Sequence, residues 1–109
     1  MAMREILPDL FLCEDICNVY VIRRGSRAIA VDFGTGRVLE ELGAIGVSGL
    51  DWILHTHHHR DQCEGDHRAV ATGTRLAVPE WEAHYFQEAE HFWGRRSIFH
   101  LYVMRTNYF

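Results

Sequence analysis

The feature that most constrains the fold of this chain is a short apolar run that leads directly into a polar, histidine-rich loop. Residues 50–54 are mostly apolar, positions 55–65 read HTHHHRDQCEG, and five of the eight histidines lie between positions 55 and 67. A short apolar run bounded by polar residues is typical of a buried strand. Loops that follow strands often carry binding and catalytic residues. The sequence therefore predicts a sheet with a site at one strand end.

Further short apolar runs lie on both sides of this strand, and segments with helical spacing separate some of them. Residues 6–12 and 19–22 predict two strands, and residues 28–31 predict a third that ends at Asp32. Short helices are predicted around residues 38–42, over 62–71 and from Pro79 to about position 92. Strands are predicted over 75–78 and 97–103. This repeated order of strand before helix predicts an α/β fold.

Length and charge exclude several classes of protein. The chain has 109 residues, which is enough for one domain. Eleven Lys and Arg against fifteen Asp and Glu give a formal charge of −4, without the basic run expected of a nucleic-acid partner. Charged residues interrupt the apolar amino-terminal segment, so the sequence predicts neither a signal peptide nor a membrane span. An odd number of cysteines without an export signal predicts reduced thiols in a cytoplasmic protein.

The histidine-rich loop has the residue types and spacing of a metal site. His57 and His59 are two residues apart, so in an extended loop both imidazoles point to the same side and reach one cation. Zinc takes imidazole nitrogens at about 2.0–2.1 Å, and catalytic zinc usually has three protein ligands. Asp61, two residues further on, is placed to bind a second metal, to orient a water molecule or to accept its proton.

These residues carry a resemblance to a known family. Residues 56–61, THHHRD, resemble the HxHxD core of the metallo-β-lactamase fold superfamily, and Asp32 in AVDFG resembles the Asp-x-Gly at an earlier strand end. The resemblance implies the amino-terminal half of an αββα sandwich, with a mixed β-sheet and helices packed on one face. Residues 1–109 would then form a single partial domain of this type.

The resemblance also implies a function and a role for each site residue. The intact protein is expected to be a metal-dependent hydrolase that uses a metal-activated water to attack a small-molecule substrate. His57, His59 and Asp61 are the expected metal ligands, and Asp61 is also the expected catalytic residue. Asp32 is expected to support the loop by hydrogen bonding from outside the ligand set. Zinc, as one or two ions, is the expected metal, with iron or manganese as alternatives.

Two departures from the family pattern leave a second interpretation open. The family motif commonly continues with a histidine that serves a second metal, whereas this chain has Gln62 there. The family sandwich is also about twice as long as this chain, and its remaining metal ligands come from the second half. The alternative is therefore a non-catalytic fragment or an inactive paralogue with an incomplete site. Its partner would be the missing carboxy-terminal half or a second copy of the chain.

The other polar and aromatic candidates favour structural roles. His55 is predicted to be a strand-end residue rather than a ligand, and Cys63 is predicted to pack rather than to bind metal. His84 and His91 lie one heptad apart on a predicted helix, which favours packing or a surface position. Large aromatic residues from Trp81 to Trp93 recur at roughly helical spacing, which indicates a core face or a surface that meets the missing half.

Overall fold

A computed structural model describes residues 3–57 and 64–83 of the chain. Six strands form one sheet in the order β1-β2-β3-β4-β5-β6. Their bounds are Arg4–Leu7, Leu10–Glu14, Asn18–Arg24, Arg27–Val31, Gly49–Leu54 and Arg75–Ala77. Two short 3-10 helices, Arg37–Glu40 and Leu42–Ile45, connect β4 to β5. The α-helix α1, Asp66–Val70, precedes β6, and a 3-10 helix, Glu80–Glu82, follows it.

The first four strands form an antiparallel meander. The prediction of one strand over residues 6–12 is wrong, because the chain reverses at Pro8 and Asp9 and forms two strands. Proline has no N–H to donate to a strand ladder. Asp9 has φ of +64°, a left-handed conformation that Asp adopts more readily than most residues.

The last three strands run parallel to one another, and this arrangement positions the candidate site. β5 pairs in parallel with both β4 and β6, so the carboxyl ends of all three strands meet at one edge of the sheet. Backbone hydrogen bonds continue the pairing one residue further. The Asp32 N–H donates to the Leu54 carbonyl, and the His55 N–H donates to the Ala77 carbonyl, both at 2.8 Å. Asp32 and His55 therefore lie on neighbouring strand ends.

One face of the sheet packs against the connecting helices and forms the core. Alternate residues of the strands, such as Val21, Ala30 and Ile53, are buried on this face. They share one cluster with Val38 and Leu42 of the 3-10 helices, and with Phe33 and Ala69. The sequence predicts a single short helix with Val38 and Leu42 on its buried face. The chain instead forms two 3-10 turns, and Gly46, in a left-handed conformation, ends the second.

The opposite face of the sheet carries a row of large apolar residues that are partly exposed. The strand register aligns Ile22 with Ile29, and Ile29 with Trp52. The exposed fractions of Ile22 and Trp52 are 43% and 37%, and that of Leu54 is 36%. Because the sheet contains both antiparallel and parallel strand pairs, it is mixed, as predicted. The described helical segments contribute to the core on one face, which was also predicted.

Two predicted elements near the end of the chain lie outside the described residues. They are the continuation of the helix from residue 84 to about 92 and the strand over 97–103. Pro79 caps a 3-10 helix, which agrees with the predicted helix start there. Within residues 3–57 and 64–83, no helix is both long enough and apolar enough to cross a bilayer.

Candidate functional site

Asp32 is the residue around which the candidate site is built. It follows β4 directly, is 8% exposed, and has φ of +61°, a left-handed conformation that is uncommon outside glycine. Its Oδ1 accepts a hydrogen bond from the Thr56 N–H at 3.0 Å, and its Oδ2 accepts one from Thr56 Oγ1 at 2.9 Å. The carboxylate thus holds the first residue of the THHHRD segment by both its backbone and its side chain.

The Thr56 hydroxyl connects Asp32 to His57 through hydrogen bonds. Thr56 Oγ1 lies 2.9 Å from His57 Nδ1. The hydroxyl has one hydrogen, which it donates to Asp32, so it accepts a hydrogen bond from the protonated Nδ1 of His57. In that tautomer Nε2 carries the lone pair of the neutral imidazole. Thr56 therefore orients the half-buried His57 ring through its Nδ1 atom.

His55 and Asp66 form a second polar contact at the same edge of the sheet. The His55 side chain is fully buried, with 0% of its surface exposed, and the Asp66 side chain is 14% exposed. His55 Nε2 lies 2.8 Å from Asp66 Oδ2. His55 Nδ1 lies 3.5 Å from Asp32 Oδ1, which makes an ion-pair contact when the imidazole is protonated. His55 therefore lies between two carboxylates.

The three buried groups shift the pKa values of one another. Burial raises the pKa of Asp32, but hydrogen bonds from His55 and Thr56 outweigh it and hold the pKa below its ordinary value. Burial lowers the pKa of His55, and the contacts with Asp32 and Asp66 outweigh that effect and raise it. Burial, aided by the charge of Asp32, raises the pKa of Asp66. Asp32 is therefore the ionised carboxylate that Thr56 requires as an acceptor.

Gly65 closes the far end of the histidine-rich segment. Its N–H donates to the Gly34 carbonyl at 2.7 Å. A Cβ at position 65 would overlap the backbone carbonyl of Thr35, so only glycine fits against this turn. Asp15, in the loop between β2 and β3, in turn accepts hydrogen bonds from the Thr35 N–H at 3.0 Å and the Thr35 hydroxyl at 2.9 Å. The turn that contacts Gly65 is thus held by the hydrogen bonds of Thr35 to Asp15.

The structure describes two of the four predicted site residues. Asp32 and His57 lie at one end of the site and are connected through Thr56. His59 and Asp61 lie outside the described residues, as do Gln62 and Cys63. Among residues 3–57 and 64–83, no group of three or more His, Cys, Asp or Glu side chains is arranged to hold a metal ion. The predicted ligand set therefore stays a prediction.

Sequence reasoning did not identify the contact between His55 and Asp66. One signal for His55 was present: Ile53 and His55 are two residues apart on a strand, so both side chains point toward the buried face. His55 does lie at a strand end, as predicted. For Asp66 the sequence gives no comparable signal, because its partner is 11 positions away and the contact depends on how the loop returns.

The described structure is similar to solved metallo-β-lactamase structures. One is a metallo-β-lactamase from Cronobacter sakazakii (Enterobacter sakazakii) with an HARLDQ motif, with a TM-score of 0.67 and 20% identity over 78% of this chain and 37% of that one. A mutant of the HARLDQ-motif protein gives 0.67 at 19% identity, with the same coverage. A stereoselective inverting sec-alkylsulfatase from Pseudomonas sp. gives 0.55 at 18% identity, over 69% of this chain and 14% of that one. No protein-family model and no curated protein matches the sequence.

The chain therefore has the metallo-β-lactamase fold, as the motifs predicted. Identities of 18–20% establish the fold alone. The chain spans 37% of the length of the two metallo-β-lactamases, and this partial coverage fits the amino-terminal half of that fold.

Proposed function

We propose that the chain is the metal-binding half of a metal-dependent hydrolase of the metallo-β-lactamase fold. The observation that carries the proposal is the hydrogen-bonded series from Asp32 through Thr56 to His57. A series that ends in a protonated Nδ1 directs Nε2 toward a ligand, and metal-binding histidines almost always donate their other ring N–H in this way.

The residue types in the loop fit zinc as the metal. Two imidazoles and one carboxylate, from His57, His59 and Asp61, are donors that zinc accepts, and iron and manganese are the alternatives. Residues 57–62 read HHHRDQ, and the motif of the Cronobacter protein reads HARLDQ, so both begin with histidine and end in Asp-Gln. Gln62 is therefore compatible with a metallo-β-lactamase. The three positions between the shared histidine and Asp-Gln differ, because this chain has His58, His59 and Arg60 where that motif has alanine, arginine and leucine.

Each residue has a defined role in the proposed reaction. When bound, a metal ion would supply Lewis-acid chemistry, which lowers the pKa of a water molecule into the neutral range and polarises the bond to be cleaved. His57 and His59 would hold the metal. The Asp61 carboxylate orients the attacking water and accepts its proton. Asp32 and Thr56 keep the His57 ring in the required tautomer and orientation. The substrate is a small molecule with a hydrolysable carbonyl or phosphoryl bond.

A second candidate function is a non-catalytic fragment or inactive paralogue. The observation that favours it is the partly exposed apolar row of Ile22, Ile29 and Trp52 on the outer face of the sheet. Apolar surface of this kind normally packs against another element. In this candidate, the row binds a separate carboxy-terminal half or a second copy of the chain, and the metal loop by itself supports no hydrolysis.

The proposal is tested by zinc uptake. We expect the 109-residue chain, loaded with one equivalent of Zn²⁺ and desalted, to retain zinc by elemental analysis. His57→Ala with His59→Ala should lose it, because both imidazole ligands are removed. His67→Ala, an exposed histidine of α1, is the matched control and should retain it. Equal zinc content in the wild type and the double variant would overturn the proposal.

The same zinc-loading experiment on the intact protein, in which a second half completes the site, separates the two candidates. Zinc-dependent hydrolysis of carboxylic, thioester or phosphoester substrates that the double variant lacks would support the hydrolase. Zinc uptake without any hydrolysis would support the second candidate.

A further inference from the structure

The histidine-rich segment is held at both ends by contacts at the carboxyl edge of the sheet. At its start, Thr56 is bound to Asp32 through two hydrogen bonds. At its end, the Gly65 N–H is bound to the Gly34 carbonyl. These contacts hold each end separately against the turn after β4.

One side-chain contact joins the two ends directly. His55 immediately precedes the segment and Asp66 immediately follows it, and their side chains meet at 2.8 Å. This hydrogen bond therefore closes a loop between positions that are 11 residues apart. Neither residue is needed for the predicted ligand set, and neither side chain is explained by the proposed reaction.

The contact is well isolated from solvent. The side chain of His55 is fully buried, and that of Asp66 is 14% exposed. Water competes poorly for a buried hydrogen bond, and a buried polar group that loses its partner carries the full cost of its desolvation. The contact should therefore restrict the relative positions of the two ends of the loop.

We propose that Asp66 is a positioning residue for the metal-binding loop, because its hydrogen bond to His55 fixes the distance between the two ends of the segment that carries the predicted ligands. This inference rests on the proposed function. Residues that orient metal ligands without touching the metal typically change metal affinity by about 10- to 100-fold when they are mutated. Asp66 acts here by holding the loop that carries the ligands, not by contacting the metal.

A purely structural role for Asp66 makes a different prediction. In that case, loss of the contact would lower the stability of the chain. Zinc affinity would then fall by the same amount as in any other variant that is destabilised to the same extent. Thr74 offers the matched comparison. Its hydroxyl donates a buried hydrogen bond to the Leu50 carbonyl at 2.8 Å, at the amino ends of β5 and β6 and away from the loop.

The test compares Asp66→Ala with Thr74→Val in the 109-residue chain. The zinc dissociation constant is measured by competition with a chromophoric chelator, and the thermal midpoint is measured on the metal-free chain. We expect Asp66→Ala to weaken zinc binding at least tenfold and Thr74→Val to change it by less than twofold. Asp66→Asn should fall between the wild type and Asp66→Ala, because its amide oxygen still accepts from a protonated His55 Nε2. A zinc affinity that follows the thermal midpoint equally in all variants would overturn the proposal.

A metal-free measurement keeps this inference distinct from the proposed function. Amide hydrogen exchange is followed by mass spectrometry in peptides that cover residues 57–65. We expect exchange there to be at least tenfold faster in Asp66→Ala than in the wild type, and unchanged in Thr74→Val. If the wild type takes up no zinc, the proposed function fails, and the exchange result still decides whether Asp66 holds the loop. If zinc binds and depends on His57 but not on Asp66, only the present inference fails.

Discussion

The two ends of the parallel strands carry the same kinds of charged residues in opposite environments. At the amino ends of β4 and β5, Arg27 pairs with Asp51 at 2.8 Å, and the two side chains are 48% and 51% exposed. At the carboxyl ends, Asp32, His55 and Asp66 form a cluster in which no side chain is more than 14% exposed. The distances are similar, so burial is the main difference.

This difference determines what each end contributes to the protein. An exposed ion pair is worth about 0–1 kcal/mol, because water screens the attraction and two long side chains lose freedom. A buried group that loses its charged partner is far more costly, about 3–5 kcal/mol. A buried cluster therefore gains little stability over apolar packing, but it fixes geometry. The end of the sheet that carries the proposed site is the end where geometry matters.

The largest effect should follow from removing Asp32. Asp32→Ala deletes both hydrogen bonds to Thr56 and one carboxylate beside His55. We expect the free energy of unfolding at neutral pH to fall by about 3–5 kcal/mol, as for other buried pairs that lose one partner. Chemical denaturation measures this change. Asp32→Asn is the control, because asparagine tolerates the left-handed backbone and keeps one acceptor, and it should cost less. A loss below about 1 kcal/mol in Asp32→Ala would show that the buried cluster contributes no more to stability than an exposed ion pair.

The pH dependence of this effect has a defined sign. The pKa of Asp32 in the folded chain lies below its ordinary value of 3.8. Its contribution to stability is therefore present above that ordinary pKa and is lost as the pH falls through the folded pKa. His55 acts in the opposite sense, because its raised pKa gives stability below 6.5 that is lost as the pH rises through the folded value. The difference in stability between wild type and Asp32→Asn should narrow at acid pH.

An intermediate effect is expected at Gly65, where the loop packs against the turn after β4. A Cβ in Gly65→Ala would overlap the Thr35 backbone, and backbone atoms move less easily than a flexible side chain. We expect a loss of about 1–3 kcal/mol in the free energy of unfolding, as for other overpacked sites. Gly43→Ala is the matched control, because a Cβ there has no atom within 4 Å. If both variants have the same stability, Gly65 does not pack closely against the turn after β4.

The strands and the class of fold were accessible from the sequence because they depend on local patterns. Runs of β-branched and apolar residues identified β4, β5 and β6 to within one residue at each end. The split of the first run into β1 and β2 was missed, although Pro8 lies at the break. The 3-10 turns after β4 were missed because Val38 and Leu42 have the spacing of an α-helix as well.

The site was accessible only in part, for a physical reason. The spacing of His57 and His59, and a carboxylate at the end of β4, can be read along the chain. The contacts that orient them join residues far apart in sequence, such as the 24 positions between Asp32 and Thr56. The buried partners of His55 likewise depend on how three strand ends and one helix converge. The roles of His59 and Asp61 stay predictions.

The smallest effect should come from the exposed end of the strands. Arg27→Ala removes the pair with Asp51 and a longer contact of 3.4 Å with the Ser48 hydroxyl. Because both charges are about half exposed, we expect the free energy of unfolding to fall by less than about 1 kcal/mol, and by less still at high salt. A double-mutant cycle with Asp51→Ala measures the coupling directly. A coupling as large as the stability loss expected for Asp32→Ala would show that burial does not cause the difference between the two ends.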